Sequence, residues 1–318
     1  MAIRNRVILA PMSGVTDLPF RQLAWRHGAG LVVTEMIASR ELTFNVAESW
    51  SRLKGAGLKP HMVQLAGRDP EVMADAARIA ADNGADIIDI NMGCPAKKVV
   101  GGYTGSALMR EPERALAIIE ATVKAVDIPV TVKMRLGWDE QSLNAAELAF
   151  AAQEAGAQAI TVHGRTRMQF YKGRANWDAV HRVAEKITVP FIANGDIARN
   201  QDVSTLLGKS GIDAVMVGRA CQGRPWHVGV LAGAIEPTSA EKINIALEHY
   251  EMILSFYGAE VGVRHARKHL GWYMEELAPN AEPDARAALM TETVPNEALR
   301  RFSAILQRAL YKTEKEAA

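Results

Sequence analysis

Short apolar runs rich in Val and Ile recur along the chain, each followed by small or polar residues and nearly always by a stretch with helical spacing. The runs are Val7 to Ala10, Leu31 to Thr34, Met62 to Leu65, Ile87 to Ile90, Val130 to Val132, Ala159 to Val162, Phe191 to Ala193 and Ala214 to Val217. Their shortness, β-branched content and apolar continuity predict strands buried on both faces of a parallel sheet. Between them, Ala, Leu and Ile recur at helical spacing over Pro70 to Asn83, Pro112 to Val126, Asn144 to Ala155 and Trp177 to Lys186. Gly84, Gly156 and Gly211 follow such stretches, where C-terminal caps are expected. Eight strands alternating with helices over about 230 residues have the length and rhythm of a (β/α)8 TIM barrel. A doubly wound sheet is the alternative. It fits less well because polar residues follow nearly every strand, as a ring of strand ends around one site requires, and not one switch point only. After Gly233 the β rhythm stops. Residues 239–318 predict helices, with Tyr250, Ile253, Leu254 and Tyr257 on one apolar face and breaks at Pro279, Pro283 and Pro295. The expected organisation is a barrel domain over 1–237 and a small all-helical C-terminal domain over 238–318.

A chain of 318 residues with 48% hydrophobic and 23% charged side chains is an ordinary globular composition, which excludes extensive disorder. No signal-peptide pattern and no uninterrupted apolar run of about 18 residues is present, so a cytoplasmic protein with no membrane span is expected. The two cysteines, Cys94 and Cys221, are too few for a disulfide framework. Neither belongs to a Cys/His cluster with ligand spacing, so no metal is expected. Lys and Arg number 37 against 36 Asp and Glu, for a net charge of +1. A surface for nucleic acid must therefore be a local patch.

Polar chemistry collects where the apolar runs end: Pro11-Met12-Ser13-Gly14, Glu35, Gln64, Asn91 with Cys94, Lys133 with Arg135, His163 with Arg165, Asn194-Gly195-Asp196, and Gly218-Arg219. In a barrel these converge on one mouth. Cys94 stands between Gly93 and Pro95, close to Lys97 and Lys98, where a thiol can serve as acid or nucleophile. The glycine-containing turns after the last two strands sit where barrels commonly bind phosphate. No GxGxxG follows a strand and no GxxxxGK[ST] is present, which excludes a Rossmann site and a P-loop. Lys133 has two readings, a fixed charge beside a flavin or a Schiff-base lysine. The thiol favours the first.

Ala10-Pro11-Met12-Ser13-Gly14-Val15-Thr16-Asp17, Asp89-Ile90-Asn91-Met92-Gly93-Cys94-Pro95, Val132-Lys133-Met134-Arg135, His163-Gly164-Arg165-Thr166, Asn194-Gly195-Asp196 and Gly218-Arg219 resemble, in order and spacing, the signature blocks of tRNA-dihydrouridine synthases. The flanking sequence is most similar to the bacterial B-type branch, and the likeness continues into the helical region. The resemblance implies an FMN-containing barrel that reduces the C5=C6 bond of a tRNA uridine, with NADPH as reductant. It implies FMN contacts from Pro11, Met12, Ser13, Gln64, Lys133, His163, Asn194, Gly195, Asp196, Gly218 and Arg219. It further implies Cys94 as proton donor, Asn91 and Arg135 near the uracil, and position 17 of the D-loop as target. Val99 to Tyr103 is expected to be a mobile loop over the site.

The chemistry is consistent: hydride reaches C6 from one face and a proton reaches C5 from the other, so one thiol opposite one flavin suffices. A thiol is mostly protonated at neutral pH unless Lys97 and Lys98 depress it. The target base must leave its stack, which costs a few kcal/mol, so backbone contacts elsewhere are required. Arg264, Arg267 and Lys268 fall on one helical face and, with Arg165 on the barrel, are the expected tRNA contacts. From residue 238 onward, however, ten basic residues face twelve acidic ones. The alternatives are a dihydroorotate- or dihydropyrimidine-type flavin dehydrogenase, for which a docking domain is superfluous, and a non-catalytic flavin- or tRNA-binding regulator, for which Cys94 is superfluous. A monomer is the working expectation.

Overall fold

Parallel strands run in chain order around the computed structural model, which describes residues 3–317 apart from the side chains of Lys98, 313, 314, 316 and 317. They are β1 (Val7–Leu9), β2 (Leu31–Val32), β3 (Ile37–Ala38), β4 (Met62–Ala66), β5 (Ile87–Met92), β6 (Val130–Arg135), β7 (Ile160–His163), β8 (Phe191–Asn194) and β9 (Ala214–Val217). The hydrogen-bonded order is β2-β1-β9-β8-β7-β6-β5-β4-β3. Its two ends meet. Val33 bridges to Met62, the Thr34 N–H donates to the Met62 carbonyl at 3.1 Å, and β3 pairs with Leu65 and Ala66 of β4. Thus β2 and β3 are two pieces of one stave, and the sheet closes as the expected eight-staved barrel. The resumption at Ile37–Ala38 was not apparent in the sequence, because Thr34 and Glu35 interrupt the apolar run there.

Alternation along the strands sorts side chains into two layers. Val63, Leu65, Ile88, Ile90, Val132 and Val162 face outward into the core shared with the helices. Ile8, Leu31, Val33, Met62, Ile87, Ile192, Ala214 and Met216 fill the barrel interior. Carried two residues further, the inward positions become polar: Gln64, Asp89 and Asn91, Lys133 and Arg135, His163, Asn194. The lower barrel is therefore a packed apolar plug, and its C-terminal mouth is lined by hydrogen-bonding groups. Register levels them, with Gln64 beside Asp89, Asn91 beside Lys133, Arg135 beside His163, and His163 beside Asn194.

The predicted helices are observed at Pro70–Asp82, Pro112–Ala125, Ala145–Glu154 and Trp177–Ala184. Gly84 (φ 87°) and Gly156 (φ 99°) take the left-handed conformation just beyond the first and third of these. Gly211 does not cap a helix directly: the Asn200–Leu207 helix ends at Gly208, and Gly211 (φ 73°) turns the chain into β9. The C-terminal region consists of helices Ser239–Tyr257, Ala259–Leu277, Pro283–Thr291 and Pro295–Ala317. The first opens with a capping box in which Thr238 and Glu241 each accept the other's backbone N–H. Their apolar faces form a second core with Tyr250, Ile253, Leu270, Tyr273 and Phe302, and Leu23 and Trp226 of the barrel enter it. The helices are thereby docked on the barrel through a continuous apolar contact. Among the described residues no helix is long and apolar enough to cross a membrane.

Candidate active site

Apolar neighbours carry Asp89 into the interior of β5, where it is 1% exposed. Such a carboxylate needs donors. It has two: the Thr131 hydroxyl at 2.6 Å and Gln64 Nε2 at 2.7 Å. Gln64 Oε1 in turn accepts from Asn91 Nδ2 at 2.7 Å, and Asn91 Oδ1 accepts the backbone N–H groups of Gly93 and Cys94 at 3.2 and 3.0 Å. This relay fixes both amide orientations, since only one assignment gives every acceptor a donor. It also ties the Cys94 turn to the barrel interior, while the Cys94 carbonyl accepts from the Ser106 N–H and hydroxyl at 3.1 and 2.8 Å. Burial pushes the Cys94 thiol up, against the Ala96 N–H and the charges of Arg135 and Lys133. The thiol is thus held protonated at neutral pH. Lys97 is exposed, and the Lys98 side chain lies outside the described residues. The expected loop over 99–103 begins as a helical turn, Lys97–Gly101. Cys221 is wholly buried, and its thiol is pushed up to about 12.

The next three strands and the turns after them bring three cations, Lys133, Arg135 and Arg165, among neutral and acidic partners. Lys133 Nζ donates to Asn194 Oδ1 at 3.0 Å, and Asn194 Nδ2 donates to the Met216 carbonyl at 2.7 Å. Burial and the adjacent Arg135 lower the basicity of Lys133, while Asp89 acts in the opposite sense. His163 is held well below its usual value by burial and by Lys133, Arg135, Arg165 and Arg219. It stays neutral, so its Nε2 accepts from Arg165 Nη1 at 3.3 Å. Arg165 is 2% exposed. Its remaining donors go to the carbonyls of Lys172 and Gly173 and to both oxygens of Asp196, at 2.8 and 2.6 Å. Asp196 also accepts from Arg219 and from the Ala175 N–H. Burial opposes ionisation of Asp196, but the Arg165 hydrogen bond and the other donors hold it below the usual carboxylate range.

These elements enclose a cavity of about 1560 Å³ at the strand C-termini. Each residue expected to touch the cofactor lines it, as do Cys94, Asn91 and Arg135. Arg165 does not line it; the arginine lies beneath the Asp196 turn and holds it. Arg135 lines it with its guanidinium already committed to the carbonyls of Gly93, Thr166 and Phe170 at 2.7–2.9 Å. Glu35, another strand-end residue, accepts from the Gly14 N–H instead of facing the cavity. A phosphate-bearing flavin fits this donor set. Among the described residues no protein group accepts from the backbone N–H of Gly195, Asp196, Gly218 or Arg219, leaving four donors beside Arg219 for an anion. Deeper in, one N–H of Gln64 and the Lys133 ammonium offer donors to a heterocycle edge.

Three contributors escaped the sequence reading. Asp89 anchors the relay; a carboxylate between Ile88 and Ile90 was itself the signal. Tyr171, 52% exposed, lines the cavity with the Arg135 and Arg219 guanidinium carbons 5.5 and 5.2 Å from its ring centroid. Trp177 Nε1 donates to the Gly195 carbonyl at 2.9 Å. Neither aromatic had a sequence signal beyond following β7.

The expected basic face on the Ala259–Leu277 helix is only partly open. Arg264 is exposed. Arg267 donates to the Glu292 carbonyl at 3.2 Å, at the end of the Pro283–Thr291 helix. Lys268 reaches toward the barrel, its Nζ 3.3 Å from where a Cβ on Gly14 would stand. None of the three lines the cavity.

A profile of the family described as Dihydrouridine synthase (Dus) matches residues 8–310. A probable tRNA-dihydrouridine synthase of Rhizobium leguminosarum bv. phaseoli is 66% identical over 302 residues, covering 95% of each chain. One of Rhodobacter capsulatus is 54% identical and covers 91% of each. The tRNA-dihydrouridine synthase B of Pasteurella multocida is 42% identical over 93% of this chain and 91% of its own. Among solved structures, histamine dehydrogenase from Rhizobium sp. 4-9 aligns with a TM-score of 0.53 at 13% identity, over 84% of this chain and 49% of that one. This supports the barrel fold alone. On the family match and these identities, the chain belongs to the dihydrouridine synthase family.

Proposed function

We propose that the protein is a tRNA-dihydrouridine synthase that holds FMN, takes electrons from NADPH and reduces the C5=C6 bond of a D-loop uridine, with position 17 as the target. The observation that carries this reading is a thiol kept protonated by burial, in the same cavity as a cationic, donor-rich wall. FMN would supply the two electrons. The free N–H groups of Gly195, Asp196, Gly218 and Arg219 would hold its phosphate, and Gln64, Lys133 and His163 would hold the edge of its ring. A neutral His163 suits that place because it adds no further charge to Lys133. Asn91 and Arg135 would orient the uracil, Arg135 chiefly by fixing the Gly93 and Phe170 carbonyls. Cys94 Sγ would deliver its proton to C5 and recover one from solvent. Arg264 on the helical region, with Lys268 behind it, would meet the tRNA backbone.

The experiment loads the purified protein with FMN, reduces it with NADPH, and offers unmodified tRNA, orotate or uracil as oxidant. Reoxidation by tRNA with dihydrouridine at position 17 supports the reading. Reoxidation by orotate or uracil alone would make the protein a small-molecule dehydrogenase. Mapping dihydrouridine in tRNA from cells with and without the protein checks the position independently.

A further inference from the structure

Across the barrel from the β8 and β9 turns, the cavity wall is formed by segments following β3 and β4, and Arg40 and Arg68 stand there. Both are exposed. Neither meets a carboxylate among the described residues, although two other arginines on the same wall do: Arg52 pairs with Glu48 and Arg114 with Glu111. Each instead lies against an exposed ring. The Arg40 guanidinium carbon is 5.5 Å from the Phe44 centroid, and that of Arg68 is 5.1 Å from the Tyr103 centroid. Phe44 is 69% exposed and Tyr103 49%. Tyr103 has φ 56°, a left-handed conformation that bulky residues seldom take, and its neighbours Gly102 and Thr104 both line the cavity. An un-neutralised cation beside an open aromatic face, on the lip of a deep pocket, matches how single-stranded nucleic acid is held: phosphate on the cation, base on the ring. The cavity also exceeds the roughly 300–1,000 Å³ of ordinary small-molecule sites.

We infer that Arg68 and Tyr103, with Arg40 and Phe44 beside them, hold the nucleotide adjacent to the turned-out uridine. This rests on the tRNA reading above and adds a subsite to it. The adjacent base stacks on Tyr103 and its phosphate meets Arg68, so stacking lost when the uridine leaves the tRNA is partly restored on the protein. Occupancy of this strip makes it a positioning surface outside the chemistry: it sets how well tRNA binds and leaves the proton donor untouched.

Steady-state dihydrouridine formation on unmodified tRNA by FMN-loaded protein tests this, comparing wild type with Tyr103→Ala, Tyr103→Phe and Arg68→Ala. Tyr103→Ala is expected to raise KM for tRNA by about 5- to 150-fold, the range found for loss of one base–aromatic stack, with kcat at saturation near wild type. Tyr103→Phe should restore wild-type KM. Arg68→Ala should raise KM and flatten the log–log salt dependence by about 0.7 for the lost single-strand phosphate contact. Thermal midpoint, FMN content and NADPH oxidation without tRNA should match wild type in all three, which separates a binding role from a folding defect. Unchanged KM for tRNA in both Tyr103→Ala and Arg68→Ala overturns the inference. So does a rise in KM for NADPH instead of tRNA, which would assign the strip to the phosphates of the reductant. Failure of wild type itself to make dihydrouridine removes the tRNA reading and this subsite together.

Discussion

Two donors converge on the Asp89 carboxylate, and an amide in its place could accept only one of them well. Asp89→Asn should therefore turn one acceptor into an N–H donor, so that either Thr131 reverses its hydroxyl and loses the bond it donates or the Gln64 amide turns and breaks the relay, at a cost of about 1–3 kcal/mol. A urea titration is expected to show a lower midpoint, and the purified variant less bound FMN; wild-type values for both would remove the relay from its structural role. Cys94 gives a prediction of opposite character. Burial raises its pKa, so the donating, protonated form persists through neutral pH and is lost only above the ordinary thiol value of about 8.5. Single-turnover dihydrouridine formation should hold steady from about pH 6.5 to 7.5 and decline beyond, as Lys133, lowered to about 8, and then Cys94 lose their protons. A decline already complete at pH 7 would contradict a protonated donor. Cys94 was legible in the sequence from Gly93 and Pro95 around it. The depth of Arg165 was not, because a strand-end arginine reads the same whether it faces solvent or, as here, supports a turn from below.

At the scale of elements, the turn after β8 shows how the barrel builds a binding surface from backbone. Gly195 sits at φ 118°, and a Cβ there would stand 2.9 Å from both Ala175 Cβ and His163 Cδ2, closer than such atoms approach. Gly195→Val should displace the turn, and with it the free N–H groups of Gly195 and Asp196, while the strands beneath stay paired. Expected outcomes are a tenfold or greater rise in the FMN dissociation constant, of the order of a lost charge-assisted hydrogen bond or two, and unchanged far-ultraviolet circular dichroism. Retention of FMN at wild-type affinity would place the phosphate elsewhere. The eight staves were legible because each carries a short, largely apolar run bounded by small or polar residues. The split second stave was not, since Ile37–Ala38 is too short to carry a period. The polar mouth was legible residue by residue, but its cause is inward alternation, apolar at Met62 and Ile87 and polar at Gln64, Asp89 and Asn91 further along the same faces.

Over the whole molecule, the barrel and the helical region share an interface in which His249 and His269 are buried, their rings 4.7 Å apart. His249 Nδ1 pairs with the Tyr273 hydroxyl at 3.1 Å, whereas no described protein group bonds either nitrogen of His269. Burial and the Lys268 charge hold His249 down to about 3, and burial with His249 and Lys268 holds His269 well below its usual value. Both are neutral in the fold but protonate in the unfolded chain below about pH 6.5, so unfolding takes up protons and stability falls on acidification, by up to about 1.4 kcal/mol per pH unit for each. Asp17, raised to about 6 by burial, acts oppositely between pH 6 and its unfolded value and cancels part of this. His269→Phe should keep the thermal midpoint at pH 7.5 and lose less of it by pH 5; an unchanged acid slope would show that His269 is not the group responsible. This interface was not legible in the sequence, because the apolar face of the Ser239–Tyr257 helix predicts burial without naming its partner. The central claim concerns the complete molecule as a catalyst, and it is tested most directly by one measurement. FMN-loaded, NADPH-reduced wild type and Cys94→Ala are each mixed with unmodified tRNA, and dihydrouridine is counted after a single turnover. Wild type is expected to form it, and Cys94→Ala, still reduced by NADPH, to form it about 10²- to 10⁴-fold more slowly. A variant within tenfold of wild type, or a wild type that makes none, would contradict the account.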